Sequence, residues 1–158
     1  MSKYNKIMGA VAGAFLVALG VIAAAVPASA MSPAPASSAT VLAAAACNTS
    51  TQFELYANPN EEARVPTYGT SKNCTLRSGN ISEGVRTLQN SLNLCHGKSL
   101  VVDGNFGPAT RTALIQVQAA IGVTADGIYG TQTYTKMRHK NSINYSCSVG
   151  SAISNTIW

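Results

Sequence analysis

Asp103 and Asp126 stand twenty-three positions apart in matching surroundings, DGNFGPAT and DGIYGTQT, so the chain writes Asp-Gly-x-aromatic-Gly-x-x-Thr twice. A pair of carboxylates is what a glycosidase needs, one to protonate the leaving oxygen and one to act as base or nucleophile. The same residues also suit a scaffold role. An Asp ahead of Gly accepts backbone N–H groups from the residues just beyond it, and the Gly takes a backbone angle that other residues avoid. On that reading each octet is a turn that launches a helix, and both carboxylates are committed to it. The other acids expected in the mature chain, Glu54, Glu61, Glu62 and Glu83, form no second pair.

Other chemistries fare no better. A cysteine nucleophile needs a free thiolate beside a histidine base. Cys95 and His96 are neighbours, but an even set of four cysteines, Cys47, Cys74, Cys95 and Cys147, reads as two disulfides in an exported chain. Asp103-Gly104-Asn105 begins like a calcium loop, yet the twelfth position is Leu114 where such a loop carries Glu. Zinc sites place ligands at short spacings such as Cys-x-x-Cys; none occurs, and His96 and His139 are isolated. The residues therefore predict no catalytic centre, no metal and no cofactor.

The elements that hold these residues begin with a segment that is not expected to remain. Lys3 and Lys6 precede an uncharged run from Ile7 to Val26, and Pro27-Ala28-Ser29-Ala30 closes it with a small-x-small site. This is the layout of a secretory signal peptide over residues 1–30, with cleavage expected after Ala30. The remaining 158 − 30 = 128 residues carry a formal charge of +5 − 2 = +3, enough chain for one small domain. Only 11% of the residues are charged and no Lys/Arg cluster is interleaved with aromatics, which argues against nucleic acid as a partner. No membrane contact is expected once the signal is removed. Residues 31–46, rich in Ala, Ser and Pro, read as a linker.

Residues 47–73 form an N-terminal extension in which Thr51 to Tyr56 alternates like a strand and Asn58 to Gly69, with two prolines, reads as loop. Three helices are predicted in residues 74–147. In SEGVRTLQNSLNLCHG, Val85, Leu88, Leu92 and Cys95 recur at helical spacing between a Ser82 cap and a Gly97 stop. A second helix starts at Pro108, carries Leu114, Val117 and Ile121 inward, and ends at Gly122. The third is expected from Thr131 to His139, with Tyr134 and Met137 inward and Lys136, Arg138 and Lys140 near its negative end. Residues 148–158 are left as a tail. Of the three disulfide connectivities open to the sequence, Cys47 with Cys74 and Cys95 with Cys147 is favoured, since it fastens the extension and the tail to the helical region.

From about Leu76 to Met137 the chain resembles the peptidoglycan-binding module found beside many cell-wall hydrolases. The resemblance lies in Gly84-Val85 with Leu88-Gln89, in Val102-Asp103-Gly104 with Phe106-Gly107 and Thr110, and in Gly122-Val123, Ala125-Asp126-Gly127-Ile128 and Gly130 with Thr133. Val117 stands where the pattern usually has Phe before Gln118, and the four cysteines resemble those of small secreted actinobacterial members. The resemblance implies an all-α, three-helix fold, and a secreted, extracellular or wall-associated protein that binds peptidoglycan, by its glycan strand or stem peptide, without cleaving it. The alternative it leaves is a partner, inhibitor or targeting module of a separate wall hydrolase. Helix N-termini at Pro108 and Thr131 would receive a stem-peptide carboxylate or a sugar acetamido oxygen. Asn105, Arg111 and Gln132 would supply polar contacts, and Phe106 and Tyr129 could lie against sugar rings, with burial the favoured alternative for Phe106.

Overall fold

The computed structural model describes residues 44–157; the expected signal peptide and the linker up to residue 43 lie outside the described residues. Strands β1 (Thr49–Leu55) and β2 (Asn58–Thr67) form an antiparallel hairpin across Tyr56-Ala57, with Phe53 opposite Ala63 and Thr51 opposite Val65. Phe53, Ala63 and Val65 are buried, so one face of the hairpin is core. Helices α1 (Glu83–His96) and α2 (Pro108–Ala120) follow, then a six-residue α3 (Thr131–Lys136). Strands β3 (Arg138–Lys140) and β4 (Cys147–Val149) pair antiparallel, and after a single 3-10 turn β5 (Ile153–Ile157) returns to lie beside β1.

The all-α expectation is overturned by these strands, which make a three-stranded sheet in the order β2-β1-β5 and a separate β3-β4 pair. Two particular readings fall with it. Asn58 to Gly69 is mostly strand, not loop: Pro59 and Pro66 are tolerated because β2 lies at the sheet edge, where a missing N–H breaks fewer ladder bonds. The third helix stops three residues early, so Arg138 and Lys140 belong to β3 and only Lys136 sits in a last helical turn. Three of the six α3 residues are threonines, whose branched side chains weaken a helix, and the Met137 carbonyl is taken by the Gly150 N–H at 3.0 Å. Gly150 is needed there: a Cβ at that position would stand 1.8 Å from the Tyr134 carbonyl oxygen.

α1 matches its expected boundaries. Ser82 accepts the Val85 N–H, Gly97 takes φ 61° at the other end, and Val85, Leu88 and Leu92 are fully buried. The disulfides are Cys47–Cys74 and Cys95–Cys147, closing separations of 27 and 52 residues. The first fastens the start of the hairpin to the approach to α1; the second ties the last turn of α1 to β4. In the middle of β3, His139 is fully buried, its Nε2–H donating to the Tyr134 carbonyl at 3.1 Å while Nδ1 has no partner among the described residues. Burial pushes this imidazole down to about 4, so it is neutral in the fold.

Candidate functional site

Both repeats fold into the same hydrogen-bonded joint. In the first, Asp103 Oδ1 accepts the Asn105 N–H at 2.8 Å and Gly104 takes φ 77°. In the second, Asp126 Oδ1 accepts the Ile128 N–H at 2.8 Å and Gly127 takes φ 73°. A buried glutamine stands behind each turn. The Gln89 amide donates to Asp103 Oδ1, to the Asn105 carbonyl and to Thr110 Oγ1, and its oxygen accepts the Gly104 N–H. Gln118 repeats the pattern with Asp126 Oδ1, the Ile128 carbonyl, Thr133 Oγ1 and the Gly127 N–H, all within 3.0 Å. Of the four positions identical in both octets, the Asp, the first Gly and the Thr are held together by one glutamine amide.

The sequence assigned these glutamines no role. A signal was present: Gln89 lies one turn beyond Val85 and beside Leu88, and Gln118 follows Val117, so each puts an amide into an apolar stripe. A buried amide requires partners, and the nearby Asp-Gly turns are the available ones.

The aromatic position of each octet is part of the scaffold. Phe106 is 1% exposed, the burial favoured for it as an expectation, and Tyr129 is 0% exposed, so its expected place against a sugar ring is corrected. Each is held through its backbone: Phe106 N–H donates to the Asn80 carbonyl at 2.9 Å, and Tyr129 exchanges two bonds with Leu76 at 2.8 and 2.9 Å. These pins fix the approach to α1 against both turns, and the side chains consequently point into the core they help build.

Asn105, Arg111 and Gln132 are exposed. Arg111 Nη2 donates to the Asp126 carbonyl at 3.2 Å, which links the first turn of α2 to the second joint. Gln132 lies on α3, and among the described residues no hydrogen bond joins it to Asn105 or Arg111. At the N-terminus of α3, which is under two turns long, the Thr131 hydroxyl donates to Asn73 Oδ1 at 3.2 Å. The N-terminus of α2 is different. It opens on a cleft of about 210 Å³ lined by Val101, Asp103, Asn105, Pro108, Ala109 and neighbouring residues. The Asn105 N–H and the Gln89 amide hold the Asp103 carboxyl below the usual carboxylate range, so the cleft contains a fixed negative charge. That charge disfavours a carboxylate guest and leaves a neutral hydrogen-bonding group as the better fit.

Residues 82–137, from the α1 cap to the residue that closes α3, match the family described as "Putative peptidoglycan binding domain". The matched segment contains both joints. The zinc D-Ala-D-Ala carboxypeptidase of Streptomyces albus G is 43% identical over 65 residues, 40% of this chain and 26% of that protein. The chain therefore spans about a quarter of the curated relative's length. Among solved structures, a peptidoglycan-binding protein from Clostridioides difficile in complex with glutamine hydroxamate is 32% identical, with 48% of this chain and 44% of that one covered at TM-score 0.40. A Burkholderia AP3 phage endolysin is 41% identical, with 39% and 23% covered at TM-score 0.37.

Proposed function

We propose that the protein is exported and binds wall peptidoglycan without cleaving it, through the module of residues 74–147, which carries the residue 47–73 extension and the 148–158 tail as additions. The observation that carries this reading is the family match over the segment that contains both joints. The state of Asp103 and Asp126 supports the non-catalytic part: one oxygen of each is tied to a turn N–H and to a glutamine amide, so neither is placed as a mobile acid or base. Asn105 at the α2 cleft contributes polar contacts to an acetamido group, with Val101, 78% exposed, as the apolar surface beside it. Arg111 and Gln132 extend the contact along the second joint.

A pull-down on purified wall sacculi, with and without teichoic polymers, tests this. Retention on both preparations is expected; retention only when a wall hydrolase is also present would favour the second reading, a partner or targeting module for a separate enzyme. That reading draws its support from the carboxypeptidase relative, in which the matched segment belongs to a longer protein.

A further inference from the structure

A second pocket, away from the repeated joints, is formed where the extension meets the module. Its volume is about 170 Å³ and its lining includes Gln52, Arg64, Thr87, Asn90, Lys140, Asn141 and Ser142. Three elements build it. Gln52 and Arg64 are cross-strand partners on β1 and β2, and Thr87 and Asn90 lie three apart on α1. Lys140 ends β3, and the chain beyond it runs beside the outer edge of β2 through an Ala63–Asn141 bridge and a Ser142 N–H to Glu62 carbonyl bond of 2.7 Å. Gln52 and Arg64 before the matched segment and Lys140, Asn141 and Ser142 after it all line the pocket, which therefore depends on residues beyond that segment.

The polar atoms of this pocket point to a ligand. Thr87 Oγ1, Asn141 Oδ1 and Ser142 Oγ are all buried and have no hydrogen-bond partner among the described residues, with Thr87 and Asn141 only 3% and 1% exposed. Unpaired buried polar atoms are uncommon because each loses its hydration without return. Asn141 has a fixed orientation, since its Nδ2 donates to Glu61 Oε2 at 3.0 Å and to Ser146 Oγ at 2.7 Å, which leaves Oδ1 as a pure acceptor. The two hydroxyls can donate. Two cations, Arg64 and Lys140, line the pocket and no carboxylate does. Donors and positive charge beside the oriented Asn141 acceptor are the complement of a carboxylate with an adjoining amide N–H, the chemistry of a C-terminal amino acid in a peptide.

We propose that this pocket binds the free carboxylate and adjoining amide of a short peptide or peptide-like wall component, with Thr87, Ser142 and Lys140 on the carboxylate and Asn141 Oδ1 on the amide N–H. The inference rests on the peptidoglycan-binding reading for its ligand source and deepens it by assigning the acidic end of the ligand to the extension. The carboxylate can come from a stem-peptide terminus or from the lactyl group of a muramic acid that carries no stem peptide.

Titrations of the oxidised full chain, followed by amide chemical shifts, distinguish these sources. The probes are N-acetyl-D-alanyl-D-alanine, the same peptide amidated at its C-terminus, N-acetylmuramic acid and N-acetylglucosamine. Saturable shifts at residues 87, 90 and 140–142 are expected with a carboxylate probe, and the one that binds more tightly identifies the source. Thr87→Val and Lys140→Gln should each weaken that probe at least tenfold while retaining the wild-type dispersion of the remaining spectrum. The amidated peptide and N-acetylglucosamine should leave the pocket resonances in place. Equal binding of the capped peptide, shifts confined to other residues, or no saturable binding of either carboxylate would overturn the proposal. Sacculus retention measured on the same samples separates the two readings: if it persists with a silent pocket, the pocket assignment alone fails.

Discussion

Replacing Gln118 with Ala should destabilise the protein far more than replacing Asp126 with Ala, although the aspartate is the more conspicuous residue in the sequence. Gln118 is 1% exposed, and its amide makes four bonds to one turn. Without it the Gly127 N–H, also buried, has no acceptor, at a cost of about 1–3 kcal/mol. Thr133 Oγ1 keeps only a 3.4 Å contact to the Ile128 carbonyl, and the truncated side chain leaves a small void. The sum is about 3 kcal/mol, or roughly 12 °C in melting temperature at about 4 °C per kcal/mol for a domain near this size. Asp126→Ala removes two acceptor bonds, but the Ile128 N–H can turn to water and Gln118 retains its other partners. Its cost is about 1 kcal/mol. Chemical unfolding of both variants and the wild type gives the comparison. Equal losses, or a Gln118→Ala loss below about 0.5 kcal/mol, would refute the assignment of the glutamine as the post of the joint.

His139 makes stability pH-dependent. Its folded pKa lies below the unfolded value, so its contribution is present above about pH 6.5 and is lost as pH falls toward 4, on the order of 3 kcal/mol in all. Urea midpoints of the wild type should therefore drop across that range, and His139→Gln should flatten the drop. Asp103 acts at lower pH: its folded pKa is also depressed, so its contribution is full above the ordinary carboxylate value near 3.9 and disappears below it. Asp103→Asn should remove that acid limb while changing sacculus retention little. Breaking Cys95–Cys147, which closes 52 residues, should cost about 4 kcal/mol by loop entropy, slightly more than breaking Cys47–Cys74; paired Cys→Ser variants in thermal unfolding check the order. Arg111→Ala and Gln132→Ala, both at exposed positions, should weaken sacculus retention with stability within about 0.5 kcal/mol of wild type.

The parts of the fold readable in the sequence are those written locally. Ser82, the Val85-Leu88-Leu92 stripe and Gly97 state the start, inner face and end of α1 within sixteen residues. The Asp-Gly turns are equally local, because accepting carboxylate, glycine and donor N–H lie within three consecutive residues. The sheet was not readable, since β1 takes its second neighbour from the far end of the chain and no short-range pattern reports a pairing of Phe53 with Ile157. The same reason hid β3, whose partner is delivered by the Cys95–Cys147 bridge and whose residues continue a helical-looking run. In the candidate site, residue type was readable and exposure was not. An aromatic beside a glycine suits a sugar platform and a core plug equally, and only the pairing of Phe106 and Tyr129 with residues 76–80 decides for the core.

The central claim is direct recognition of peptidoglycan by this chain. Its most direct test is a binding isotherm of the oxidised full chain on sacculi stripped of proteins and teichoic polymers. Saturable retention without release of soluble fragments is the expected result; absence of saturable retention on the stripped sacculi would contradict the account.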